Sequence, residues 1–132
     1  MNKKERRNIR VRAIQTLYNM ELLDITLDEA LKDASDVINE DVKKLLVGVI
    51  NAMPRIDEII EKNLVNYTLD RLGFVDRSII RVATLEMLEG LSPSIAIDEA
   101  LEITKMFSDN GDGKAKAFNN KLLDNISKYL GV

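Results

Sequence analysis

Residues 3–23 read KKERRNIRVRAIQTLYNMELL. Apolar residues recur three and four positions apart, the α-helical period, and the chain has no convincing alternation of the kind a half-buried strand needs. The stretch predicts a first helix over about Lys3–Leu23, with Ile9, Ala13, Ile14 and Leu17 on its core face. Its first half is also the most basic part of the chain. Residues 3–12 hold six basic side chains and one acidic, in a chain of net charge −3. Only 13 of the 19 basic residues lie outside this stretch, against 21 of the 22 acidic ones, so the remainder carries −8.

At roughly 100° per residue, Lys3, Arg6, Arg7 and Arg10 fall on the same side as Ile14 and Leu17. A merely solvated helix would place charge and core stripe on opposite sides. Cations at a helix N-terminus also oppose the macrodipole, by roughly 0.3–1 kcal/mol each. A phosphate backbone reverses that penalty through counterion release and guanidinium contacts. The other reading is a frayed, solvated terminus whose charges only aid solubility. A membrane surface or an acidic protein is a further anion that such a segment fits.

The helical period continues beyond this first segment. Thr26-Leu27-Asp28-Glu29 reads as a capping box, opening a helix that buries Leu27, Ala30, Leu31, Ala34 and Ile38. A third helix is expected from near Asp41, on Val42, Leu45, Leu46, Val49, Ile50 and Met53. Pro54 removes a helical donor and predicts a kink, because the pattern resumes at Ile56, Ile59, Ile60 and Leu64. Gly48 at mid-helix costs roughly 1 kcal/mol against alanine, which close approach of a neighbouring helix explains. A further helix carries Val75, Ile79, Ile80, Val82, Ala83 and Met87 and ends at Gly90. After the LSPS turn, with Ser92 or Ser94 as cap, the next helix takes Ile95, Ile97, Leu101, Ile103 and Phe107 as its apolar residues. The loop SDNGDGK precedes a last helix with Phe118, Leu122, Leu123, Ile126 and Tyr129. The expected architecture is therefore one all-α domain over residues 1–132, of about seven helices.

Composition removes several functions. Cysteine and histidine are both absent, so thiol nucleophiles, conventional catalytic triads and most zinc sites are impossible. Acidic pairs such as Asp57/Glu61 and Asp98/Glu102 lie at i, i+4 and read as solvated faces, because carboxylate or di-metal catalysis needs pairs converging from several helices. The loop from Asp109 fails the EF-hand spacing, with Lys114 at the sixth position and Asn120 at the twelfth. No catalytic residue, metal or cofactor is expected. No apolar run reaches the roughly 18 residues of a membrane span, and no secretory segment is evident, so a cytoplasmic location is expected. In GKAKAFNNK, Phe118 stands among Lys114, Lys116 and Lys121. An aromatic interleaved with lysines suits a splayed base, and packing is its other reading.

Taken in order, five stretches resemble the NusB family of bacterial transcription antitermination factors. RRNIRVRAIQTLYNMEL resembles that family's opening, with Arg6, Arg7, Arg10, Ala13, Gln15, Leu17 and Tyr18 matching. LLVGVINAMPRID is similar to its Leu-Leu-x-Gly-Val segment. VDRSIIRVATLEML and AIDEALEITKMF resemble its paired late helices, and FNNKLLDNI resembles its final one. Ile9, Val11, Asp98 and Lys121 depart from the pattern.

The resemblance implies two packed helical subdomains without enzymatic activity. It implies binding of boxA-type single-stranded leader RNA together with the small-subunit ribosomal protein NusE, within a complex of other Nus factors on RNA polymerase that suppresses termination in ribosomal RNA operons. By position, it implies RNA contacts from Lys3, Lys4, Arg6, Arg7 and Arg10, with Lys116, Phe118 and Asn120 near the same surface. Tyr18, Asp76 and Glu86 are the candidates for the protein-partner surface. The acidic body suits a basic ribosomal protein. Two other functions compete with this one. The first is a helical interaction module, or a homodimer when free, that lacks specific RNA binding. The second is an isolated form of the NusB-like domain that fronts some ribosomal RNA cytosine methyltransferases, and here no methyltransferase domain is expected to follow.

Overall fold

The structure, a computed structural model, describes residues 1–33 and 39–132. Six α-helices and one 3-10 turn are found among the described residues, close to the expected seven, with no strand among them. They are α1 (Lys3–Leu23), α2 (Leu27–Asp33), α3 (Glu40–Asn63), α4 (Phe74–Leu88), α5 (Pro93–Phe107) and α6 (Lys114–Leu130), with the 3-10 turn at Leu69–Arg71. The expected bounds of α1 are met. Ala34 and Ile38, expected to be buried by the second helix, lie outside the described residues.

Local chemistry sets the ends of these helices. The Asn2 side chain accepts from the Glu5 amide at 2.8 Å and caps α1. Asp24 closes the helix in the left-handed region, its amide donating to the Met20 carbonyl. Thr26 and Glu29 form the expected capping box. The Glu29 amide donates to the Thr26 hydroxyl, and the Thr26 amide donates to the Glu29 carboxylate, both at 3.2 Å. Asn39 caps α3 through the Val42 amide at 2.9 Å. The helix α3 runs unbroken through Pro54. Ser92 takes the cap position of α5 and Pro93 its first turn, but the Ser92 hydroxyl bonds Ser94 rather than a backbone amide.

At the centre lies α4, which packs against α1, α3, α5 and α6. Every residue from Ser78 to Leu85 is buried, the signature of a helix enclosed on all sides. The halves α1–α3 and α4–α6 share one apolar core, with Ile14, Leu17, Leu46, Ile56, Ile60, Ile79, Ile80, Ile103, Leu123 and Ile126 among its members. Gly48 is where α3 meets α4: a Cβ at that position would stand 3.0 Å from Leu85 Cδ2. The close approach inferred from sequence is therefore real.

The face of α5 differs from the expectation. Of its five apolar residues only Ile103 is buried, while Ile95 and Phe107 are exposed. The buried face is instead Ala96, Glu99, Ala100, Ile103 and Thr104. Small residues let α5 lie close to α4, and the buried glutamate has partners on α1. Phe118 and Tyr129 of α6 likewise sit at the surface rather than in the core.

Two ion-pair clusters fix α1 against α4. Near the start of α1, Arg10 pairs with Glu86 near the end of α4. Near the end of α1, Glu21 pairs with Arg77 and Arg81 near the start of α4. The two helices are thus antiparallel, and a register slip would break both clusters. Arg81 is buried and also grips Asp57 of α3 through two hydrogen bonds, at 2.9 and 3.0 Å. Asp57 is therefore part of this cluster rather than of a solvated acidic face.

Candidate nucleic-acid interface

The basic end of α1 divides into two kinds of side chain. Lys3, Lys4 and Arg6 are exposed, and Arg6 donates to the Met1 carbonyl at 2.9 Å. Arg7 is half-buried and Arg10 is buried. The core stripe therefore does run up into the arginines, as the helical projection requires. Ala13, Ile14 and Leu17 behind them are buried and anchor this end of the helix.

The counter-ions are carboxylates from distant parts of the chain. Arg7 donates from Nε and Nη2 to the two oxygens of Glu99 on α5, at 2.8 and 3.1 Å. Arg10 Nε bonds both oxygens of Glu86 on α4, at 2.9 and 3.0 Å, and Arg10 Nη1 lies 4.0 Å from Glu99. Arg7, Glu99, Arg10 and Glu86 thus alternate in sign along one row. The hydrogen bond from Arg7 holds the Glu99 carboxyl below its ordinary value against the opposing effect of burial, and the charges of Arg7, Arg10 and Lys3 add to it. The same bond raises Arg7.

Two sequence expectations change here. Glu86 was placed on the partner surface, yet its carboxylate is committed to Arg10. Arg10 was expected to reach RNA, yet its side chain is only 9% exposed and is enclosed between two acids. Desolvated charges stay with their partners because separating them leaves one uncompensated. Asp76 also turns inward. It accepts from the Ser108 hydroxyl at 2.6 Å and from Asn119 Nδ2 at 3.2 Å, tying α4 to the end of α5 and to α6. Asn119 is fully buried, whereas its neighbour Asn120 is exposed.

Beside Arg7, α1, α5 and α6 enclose a polar groove of about 420 Å³. Lys3 and Arg7 line it from α1, Lys116 from α6, and Asp98, Glu99, Leu101 and Glu102 from α5. The fold therefore brings cations from the two ends of the sequence, Lys3, Arg7 and Lys116, together on one groove.

A second groove, of about 240 Å³, includes Phe118, Lys121, Val65 and Asn125. The Phe118 ring leans on Tyr67 at 5.3 Å between centroids and is still 38% exposed. Arg71 covers the Tyr67 ring at 4.7 Å. One side of the Phe118 ring packs on Tyr67 and another faces solvent. Tyr18 lies elsewhere, in a groove with Ile14, Gln15, Asn19, Val75 and Phe107. Its ring meets Phe74 edge-on at 6.4 Å.

Sequence reasoning missed Glu99 and Tyr67. A signal for Glu99 was present: it sits at helical spacing with Ala96, Ala100 and Ile103, and a carboxylate on an apolar face calls for a buried cation. Tyr67 gave no such signal, because the whole of α4 and α5 lies between it and Phe118 in sequence.

Comparison with known proteins agrees with this geometry. The NusB family model matches residues 7–128. The transcription antitermination protein NusB of Bacillus subtilis is 39% identical over 130 residues, covering 96% of this chain and 97% of that protein. T. maritima NusB superposes with a TM-score of 0.81 at 30% identity, covering 93% of this chain and 90% of that one. A chain from a crystal structure of the antitermination factors NusB and NusE in complex with dsRNA gives 0.81 at 28% identity, covering 97% and 99%. With a family match over nearly the whole chain and the same helical fold, this chain belongs to the NusB family.

Proposed function

We propose that this chain is a transcription antitermination factor that binds RNA together with the ribosomal protein NusE, in a complex with other Nus factors on RNA polymerase. The observation that carries this reading is its near-full-length match to a chain crystallised with NusE and RNA. Residues 1–132 act as one RNA-binding domain, working by binding rather than by catalysis, in the cytoplasm where nascent transcripts are made. That the RNA bound by this chain is single-stranded and of the boxA type rests on the sequence resemblance alone, since the RNA in that crystal structure is double-stranded.

The groove at the start of α1 is the proposed RNA site. Lys3, Lys4 and Arg6 supply mobile charge, Arg7 an oriented guanidinium and Lys116 a cation from the facing helix α6. Asn120 adds an exposed amide on α6, and Phe118 an exposed ring in the separate second groove. Arg10 acts from behind as a scaffold, holding Glu86 and Glu99. Tyr18 and the apolar groove around it form the protein-partner face, with Phe74 and Phe107 exposed beside it.

Measuring affinity for a single-stranded boxA-type RNA, with and without purified NusE, tests the reading. Tighter binding with NusE than without supports it. Equal, weak binding under both conditions, with no NusE complex by gel filtration, refutes it and leaves the interaction-module reading.

A further inference from the structure

We propose that Glu99 is a positioning residue for RNA recognition: it grips the inner edge of the Arg7 guanidinium so that the outer edge faces the groove. The inference deepens the RNA reading above and rests on it.

The donor inventory makes the case. Arginine has five N–H donors in a fixed plane. Glu99 takes one from Nε and one from Nη2 of Arg7, at 2.8 and 3.1 Å. The Nη1/Nη2 edge makes no hydrogen bond among the described residues, and a parallel pair of this kind is what a phosphate accepts. The Arg7 side chain is 30% exposed and Glu99 is 4% exposed. The arginine thus keeps part of its side chain on the groove while the carboxylate it grips is buried.

A phosphate could instead pull Arg7 away from Glu99. That would leave a buried carboxylate whose other ion-pair partner among the described residues, Arg10, stands 4.0 Å off and is already engaged by Glu86, with Lys3 acting only at longer range. An uncompensated buried charge costs more than one groove-exposed phosphate contact returns. Arg7 stays on Glu99, and the phosphate binds end-on. Lys3 and Lys116, on the same groove, have no carboxylate within ion-pair distance among the described residues. They act as mobile point charges, while Arg7 is held in one plane.

The test is a double-mutant cycle read by affinity for a labelled single-stranded boxA-type RNA. It uses the parent protein, Glu99→Gln, Arg7→Ala and the double variant, with circular dichroism melts to establish folding. Glu99→Gln should weaken RNA binding in the parent by roughly 2- to 12-fold, the equivalent of leaving one long side chain to be ordered on binding. In the Arg7→Ala background the same substitution should leave affinity unchanged or slightly tighter, since it only removes a negative charge. If Glu99→Gln does not fold, Glu99→Asp keeps the charge but withdraws the carboxylate, and the same pattern is expected. Identical changes in both backgrounds, or tightening in the parent, would overturn the positioning role alone. A parent protein that binds no RNA would overturn the functional reading and the inference with it.

Discussion

Arg10 Nε lies 2.9 and 3.0 Å from the two carboxylate oxygens of Glu86, joining α1 to α4 across 76 residues of sequence. This pair does structural work at the base of the basic helix end. Glu86→Ala leaves the buried Arg10 with Glu99 alone, 4.0 Å away, and Arg10→Ala leaves the half-buried Glu86 without its arginine; each should cost at most about 3–5 kcal/mol. Replacing both by apolar residues of similar size, as Arg10→Met with Glu86→Leu, should recover most of that loss. Urea unfolding checks this, with the midpoint shifting and the slope unchanged.

Acid should weaken the same region through Glu99. Its folded-state pKa is depressed by the hydrogen bond from Arg7 and the nearby positive charges. A depressed carboxylate contributes stability above its unfolded value and loses it as the pH falls through the folded one. Stability from this group is therefore complete above the ordinary value of 4.5 and fades below it. Comparing urea midpoints of the parent and Glu99→Gln from neutral pH to pH 3 should show a flatter acid limb in the variant. Parallel limbs would contradict the pairing.

Gly48 should tolerate one methyl group but not three carbons. A Cβ there meets Leu85 Cδ2 at 3.0 Å, the mobile end of a side chain. In Gly48→Ala the gain in helix propensity, about 1 kcal/mol, offsets the small shift demanded of Leu85. Gly48→Val adds bulk the α3–α4 contact cannot absorb and should destabilise by about 1–3 kcal/mol. Thermal denaturation of the two variants separates these outcomes.

The capping box is testable at the surface, away from the groove. Thr26→Ala removes the acceptor for the Glu29 amide and should cost about 1 kcal/mol. RNA affinity should not change, because among the described residues none of α2 lines either candidate RNA groove. A circular dichroism melt and one binding curve suffice.

Much of the fold was legible because it is local. The period of residues 3–23 gave α1 its observed ends, Thr26 and Glu29 gave the capping box, and Gly48 gave the close contact with α4. The face of α5 was misread because hydrophobicity alone favours Ile95 and Phe107, while the packing chose Ala96 and Ala100 and a paired Glu99. The basic end was found by charge and period, but its division into a scaffold and a free set was not. Glu99 and Glu86 stand 92 and 76 residues from their arginines, and nothing in a local window encodes which acid returns to which base. The dipole argument rightly required an anion near Arg7 and Arg10, yet the fold itself supplies one in Glu99 and Glu86.

In the proposed function, the exposed cations around the start of α1 hold RNA phosphates. The direct measurement is the salt dependence of affinity for single-stranded boxA-type RNA, comparing the parent with Lys3→Ala/Arg6→Ala/Lys116→Ala. Lys43→Ala/Lys44→Ala, exposed on α3 and outside both candidate RNA grooves, serves as a charge control. The log–log slope should shallow by about 0.7 for each phosphate contact removed in the triple variant, and hardly at all in the control. Equal slopes in the parent and the triple variant would contradict it.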